Sequence, residues 1–165
     1  MFAVRQVCEK YLANWEDILW AFMDLEKEYD TIDRHGMCQM LRVCGIRGKL
    51  LKAVESFYID SMACVRVGND ANEWFPVNVG LRQGCVMSPW LFNPYMDGVV
   101  RKVNVRVLGK GPELLSVNGG RFEINRLLFA DDTALVADSE EKLCRLIREF
   151  GRVCERRKLR VNEGI

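Results

Sequence analysis

The spacing of apolar and polar positions changes several times along this chain, and each change marks an element. Ile18-Leu19-Trp20-Ala21-Phe22-Met23 is a near-continuous apolar run ending in Asp24, which predicts a buried central strand over 18–24. Glu26-Lys27-Glu28-Tyr29-Asp30 then reads as a polar turn. Asp33 can cap a short helix that carries Met37, Met40 and Leu41 on one face and ends near Gly45. Leu50, Leu51, Val54, Phe57 and Tyr58 repeat the helical spacing. Residues 62–67 and 73–79 read as two strands, with Gly68-Asn69-Asp70 supplying the turn chemistry between them. Ser88-Pro89 is a helix start, with Ser at the cap and Pro in the first turn. Leu91, Phe92, Tyr95, Met96, Val99, Val100 and Val103 form the buried stripe of that helix.

Residues 104–120 hold Gly109, Gly111, Pro112, Gly119 and Gly120 and read as a flexible loop. Leu127-Leu128-Phe129-Ala130 and Thr133-Ala134-Leu135-Val136-Ala137 are two apolar strands that flank Asp131-Asp132, the pattern of a hairpin with acids at its turn. Ser139 can cap a last helix whose inner face is Leu143, Leu146, Ile147, Phe150, Val153 and Cys154. A short strand over Leu159 to Asn162 follows, and residues 1–17 form an N-terminal arm or helix. Strands and helices mixed in this order predict an α+β fold: an antiparallel sheet with helices packed on one face.

Composition narrows the class. The chain has 165 residues, which favours a single domain, and 49% are apolar, enough for a real core. The net charge is +1, without the strong basic excess of a stand-alone nucleic-acid binder. Positive charge is nonetheless concentrated at Arg145, Arg148, Arg152, Arg156, Arg157, Lys158 and Arg160, which a solvated helix face would also explain. Seven cysteines contain no CxxC pair, and most sit beside apolar residues as small core hydrophobes do. A secretory leader pattern is missing from the start, so an intracellular, reducing compartment is expected. The only histidine, His35, lacks cysteines at zinc-ligand spacing. No apolar run reaches about 18 residues, so no membrane span or membrane partner is expected.

Chemistry enters through the acids. Asp24 and Asp131-Asp132 each follow an apolar strand, and a carboxylate at the end of a buried strand is costly without a positive partner. Two such sites in one small domain suggest a shared cation. Hard divalent ions such as Mg²⁺ take oxygen ligands, usually a few carboxylates plus substrate phosphates, the layout of two-metal phosphoryl transfer. Taken singly, each acid is also what a cap or a turn would use.

Four segments together resemble a known family. They are Ala21-Phe22-Met23-Asp24-Leu25-Glu26-Lys27-Glu28-Tyr29-Asp30, Gly80-Leu81-Arg82-Gln83-Gly84-Cys85-Val86-Met87-Ser88-Pro89-Trp90-Leu91-Phe92-Asn93, Leu128-Phe129-Ala130-Asp131-Asp132-Thr133 and, more weakly, Arg157-Lys158-Leu159-Arg160-Val161-Asn162. In order and rough spacing they resemble the palm domain of reverse transcriptases encoded by non-LTR retrotransposons, over residues 18–165. The resemblance implies an RNA-directed DNA polymerase that transfers a nucleotide from a dNTP to a primer 3′-OH, with an RNA template, a DNA primer and two Mg²⁺ ions. It implies that Asp24, Asp131 and Asp132 are the catalytic, metal-binding carboxylates. It also implies that Tyr29, Gln83 and Gly84 bind the nucleotide, with the Tyr29 ring under the incoming sugar and set against a 2′-hydroxyl. Ser88 reads as a helix cap rather than a ligand.

The chain also departs from the family's pattern. The fourth motif usually continues Asn-x-Gly-Lys, and here Ile165 stands where that lysine, a proton donor to pyrophosphate, is expected. In the family, fingers precede the palm and a thumb follows it; residues 1–17 match at most a residual fingers segment, and other polymerase segments are expected as partners. The alternative reading is therefore a catalytically incompetent retroelement remnant that only folds or binds nucleic acid. A viral RNA-dependent RNA polymerase is disfavoured by Phe129-Ala130-Asp131-Asp132, since such enzymes more often carry Gly-Asp-Asp, and by Tyr29.

Overall fold

The computed structural model describes residues 2–14, 17–106, 113–115, 121–129 and 132–162. In chain order the elements are α1 (Phe2–Ala13), β1 (Leu19–Met23), β2 (Leu25–Glu26), α2 (Glu28–Thr31), α3 (Arg34–Val43), α4 (Gly48–Tyr58), β3 (Met62–Ala63), β4 (Arg66–Val67), β5 (Asp70–Ala71), β6 (Phe75–Pro76), α5 (Ser88–Arg106), β7 (Glu113–Leu115), β8 (Arg121–Glu123), β9 (Arg126–Phe129), β10 (Asp132–Ala137), α6 (Glu140–Arg156) and β11 (Arg160–Val161). They group into two compact units, one made of Met1–Glu26 with Val99–Ile165 and the other of Lys27–Gly98.

The first unit is built on an antiparallel sheet of order β1-β10-β9. Its middle strand, β10, is buried from Thr133 to Ala137. Helix α6 packs on β10, β1 and β11 through Leu146, Phe150, Val153 and Cys154, the inner face expected from the helical spacing. Val7 and Tyr11 of α1 are buried against Ile18, Trp20 and Ile124, so the N-terminal segment is a docked helix. Strand β11 pairs with β2 through Arg160↔Glu26 and Val161↔Leu25.

The second unit holds α2, α3, α4, two nested short strand pairs and the first part of α5. Asp33 caps α3 by accepting from the Gly36 N–H at 3.0 Å. Gly45 ends the helix at φ +89, with Gly45 N donating to Arg42 O and Ile46 N to Leu41 O. Strand β3 pairs with β6 and β4 with β5, around Gly68 at φ +63. Arg34 braces this unit. Its guanidinium donates to the carbonyls of Gly80 (2.8 Å), Val77 (2.7 Å), Val79 (3.2 Å) and Tyr58 (3.3 Å) and lies 4.8 Å above the Tyr58 ring.

Several expectations need correcting. The apolar run 18–24 is an outer strand of its sheet, with Phe22 and Leu19 exposed; the buried central strand is β10. An apolar run signals burial without saying which strand has two neighbours, and here Trp20 stacks on Phe22 at 6.3 Å to cover part of β1. The polar stretch 26–30 is not a simple turn but the end of β2 and the single-turn helix α2, entered through Lys27 at φ 46. Ser88 is already inside α5, and its Oγ donates to Arg82 O at 2.7 Å. Ser139 occupies the cap position of α6 but makes no side-chain cap bond. The loop expected at 104–120 is helical up to Arg106 and contains paired strand at 113–115; residues 107–112 and 116–120 lie outside the described residues. Of the seven cysteines only Cys38 and Cys154 are buried, while Cys44 and Cys144 are exposed, so apolar neighbours in sequence did not imply burial. Among the described residues, no helix is long and apolar enough to cross a membrane.

Candidate functional site

Strand register carries two of the acids, Asp24 and Asp132, to neighbouring strand ends. In the β1–β10 pair, Leu19 faces Ala137 and Met23 faces Thr133. One further step along the same register sets Asp24 opposite Asp132, at the ends of neighbouring antiparallel strands. Asp132 is the first residue of β10 and pairs with Phe129 of β9. Asp131, between those strands in sequence, lies outside the described residues. Both described carboxylates are exposed, so the burial cost anticipated for Asp24 does not arise.

Asp24 is held from a residue that the sequence reading did not single out for the site. Asn162 Nδ2 donates to Asp24 Oδ2 at 3.0 Å, and Asn162 N donates to Asp24 O at 2.8 Å. The pairing of β11 with β2 produces this contact, because it carries position 162 alongside position 24. The only sequence signal for it was membership of the weak fourth motif; Asn in isolation is an ordinary strand-end residue.

The donor set fits a hard cation. Exposed carboxylate oxygens on adjacent strand ends are the ligand type that Mg²⁺ accepts, and the Asn162 bond fixes one oxygen of Asp24. Among the described residues, no group of three acidic, histidine or cysteine side chains is clustered for a metal. Asp24 and Asp132, with Asp131 as the adjacent third acid, are the residues that could hold one.

Tyr29, Gln83 and Gly84 meet in the second unit. All three line a cavity of about 510 Å³, together with Glu28, Arg82 and Ser88. The Tyr29 ring is half-buried and stacks on Phe92, with centroids 5.0 Å apart. Leu81 N donates to Tyr29 O at 2.7 Å, which joins two segments far apart in sequence. Gly84 has φ +75 and nothing within 4 Å of where a Cβ would stand, so backbone is open to the cavity there. The Ser88 bond to Arg82 O closes the loop that carries Gln83 and Gly84. The Arg82 guanidinium lies over the Phe57 ring at 4.2 Å and donates to Phe57 O at 3.1 Å. Sequence reasoning did not single out Gly80, Asp30 or Arg34 here: Gly80 and Asp30 approach through backbone, Asp30 also bonds Gln83, and the Arg34 guanidinium bonds four carbonyls, Gly80 O among them; none of these follows a period.

The sequence profile of the family described as "Reverse transcriptase (RNA-dependent DNA polymerase)" matches residues 3–164. The Pol polyprotein of a type-1 retrotransposable element R2 from Nasonia vitripennis is 29% identical over 123 residues, covering 74% of this chain and 11% of that protein. One from Popillia japonica is 28% identical over 119 residues, covering 72% of this chain and 16% of that protein. The chain thus spans a small part of the curated relatives it matches. A telomerase structure from Candida albicans, in complex with a fragment of telomeric RNA, superposes with TM-score 0.74 at 12% identity, covering 98% of this chain and 28% of that one. Apo telomerase from Candida tropicalis gives TM-score 0.68 at 12% identity, covering 97% of this chain and 32% of that one. At that identity the two structures speak for the fold alone, which is of the polymerase palm type, an α+β fold with an antiparallel sheet. The chain belongs to the reverse transcriptase family. The curated relatives it resembles are Pol polyproteins of type-1 retrotransposable elements.

Proposed function

We propose that residues 18–165 form the palm domain of an RNA-directed DNA polymerase that joins a dNTP to a primer 3′-OH on an RNA template. The carrying observation is the β1–β10 register, which continues to Asp24 opposite Asp132 in a chain of the reverse transcriptase family. In this reading Asp24, Asp131 and Asp132 hold two Mg²⁺ ions, and Asn162 keeps the Asp24 carboxylate turned to its task. The ions, when bound, supply charge neutralisation for the phosphates and lower the pKa of the attacking hydroxyl. Tyr29 excludes a 2′-hydroxyl by bulk, and Gln83 and Gly84 line the nucleotide cavity. The primer 3′-oxygen bonds to the α-phosphorus and pyrophosphate leaves. Positioning supplies most of the rate, so no side-chain nucleophile is required. Other segments of the retroelement polymerase are expected partners.

A folded remnant without catalysis is the second reading, and the observation favouring it is Ile165, a side chain that cannot donate a proton where the family's pattern has lysine. Primer extension with Mg²⁺ decides, run on this chain and on a longer polymerase that contains it. Asp131→Asn is expected to abolish extension while leaving the melting transition close to wild type, because it removes one of several like charges. Extension that survives Asp131→Asn rules out the cation role. A wild-type chain that stays inactive in both contexts favours the remnant.

A further inference from the structure

One wall of the cavity beside Tyr29 is oriented from outside it. Gln83 lines that cavity whereas Asp30 does not, and Gln83 Nε2 donates to Asp30 Oδ1 at 2.9 Å. An ionised carboxylate accepts hydrogen bonds and donates none, so this bond fixes which way round the Gln83 amide sits. The NH₂ group faces Asp30, and Oε1 is left over. Among the described residues no donor reaches Oε1.

Asp30 is itself tightly placed. Asp30 N donates to Lys27 O at 2.9 Å, and on either side of it Leu81 N donates to Tyr29 O and Gly80 N to Ile32 O. Gly80 approaches so closely that a Cβ there would stand 2.7 Å from Asp30 O. We propose that Asp30 is a positioning residue for nucleotide binding: its carboxylate locks the Gln83 amide so that Oε1 is offered to a hydrogen-bond donor of the bound nucleotide. The inference rests on the reading of Gln83 as a nucleotide-binding residue. Both groups are exposed, so the bond adds little to fold stability; its effect lies in orientation. A flipped amide has nearly the same shape but would present donors in place of the acceptor.

The test follows the Gln83 side-chain amide by ¹⁵N NMR during titration with a deoxynucleoside triphosphate and Mg²⁺. Asp30→Ala is expected to move that resonance in the free protein and to raise the nucleotide Kd by about three- to tenfold. Asp30→Asn, which keeps an acceptor but no longer enforces one orientation, raises it less. Gln83→Glu sets a carboxylate against Asp30 and weakens binding; Asp30→Asn in that background supplies a donor and recovers most of the loss. Unchanged affinity in Asp30→Ala beside weakened affinity in Gln83→Ala overturns the positioning role alone. Unchanged affinity in Gln83→Ala overturns the reading of the cavity, and the positioning role with it.

Discussion

Gly80 and Gly84 show how much one atom matters in the loop beside the Tyr29 cavity. Both have positive φ, at +81 and +75, but only Gly80 has backbone where a Cβ would go. Gly84→Ala therefore carries the conformational cost alone, about 1 kcal/mol, whereas Gly80→Ala adds a clash with Asp30 and is expected to cost about 3 kcal/mol in chemical denaturation. Tyr29 makes a different residue-scale prediction. Its ring rests on Phe92 beside the cavity, so Tyr29→Ala is expected to raise ribonucleotide incorporation, with Tyr29→Phe keeping the discrimination. Unchanged sugar selectivity in Tyr29→Ala removes the gate role. The residues named for the cavity were legible because Gln83-Gly84 and Tyr29 stand in recognisable segments. Gly80 belongs to the same segment as Gln83, yet its close approach to Asp30 is a fact of packing between positions fifty apart, and no local pattern encodes that.

At the scale of elements, the spacing of apolar residues located the longer helices, but of the three expected caps, Asp33, Ser88 and Ser139, only Asp33 makes its bond. Asp33 and Ser139 look equally good as caps in sequence. Asp33 accepts from Gly36 N, while Ser139 makes no cap bond and leaves the start of α6 to Glu140 and Glu141, which complement the positive helix end. Asp33→Ala is expected to lower stability by about 1 kcal/mol and Ser139→Ala by a few tenths at most, both read from urea midpoints. The strands of the main sheet were legible, whereas the two expected over 62–67 and 73–79 are four short ones, and rank within the sheet was not legible at all. The run at 18–24 is more continuously apolar than many central strands, and yet β1 lies outside β10. Partner count is set by the register of distant segments, which hydrophobic period does not report.

For the molecule as a whole, one of the two buried thiols, Cys154, gives a titration that can be followed. Burial first, and the nearby Glu155 charge second, push Cys154 up from its ordinary value of 9.0 to about 12. The folded state therefore prefers the protonated thiol. That contribution is complete below about pH 9 and is lost as pH rises towards 12, with a slope of up to about 1.4 kcal/mol per pH unit. Stability of the wild type minus that of Cys154→Ala, measured from pH 7 to 11, is expected to be flat and then to fall. A difference that stays flat throughout contradicts the burial argument. The fold class was legible from the order of elements, and the division into two units was not. Residues 27–98 gather into a unit by contacts among themselves, a property of the folded chain rather than of any stretch within it.

Asn162 reaches Asp24 across 138 positions, and the unit that contains both is made of two separated stretches of chain. During synthesis, the stretch 27–98 leaves the ribosome whole before the second stretch of that unit has been made. The carboxylate at position 24 thus waits, without its amide partner, until the last strand emerges. A nascent chain halted before position 160 can form the cavity beside Tyr29 but not the finished acidic end of the sheet, and hydrogen exchange at Asn162 should be among the last signals to slow.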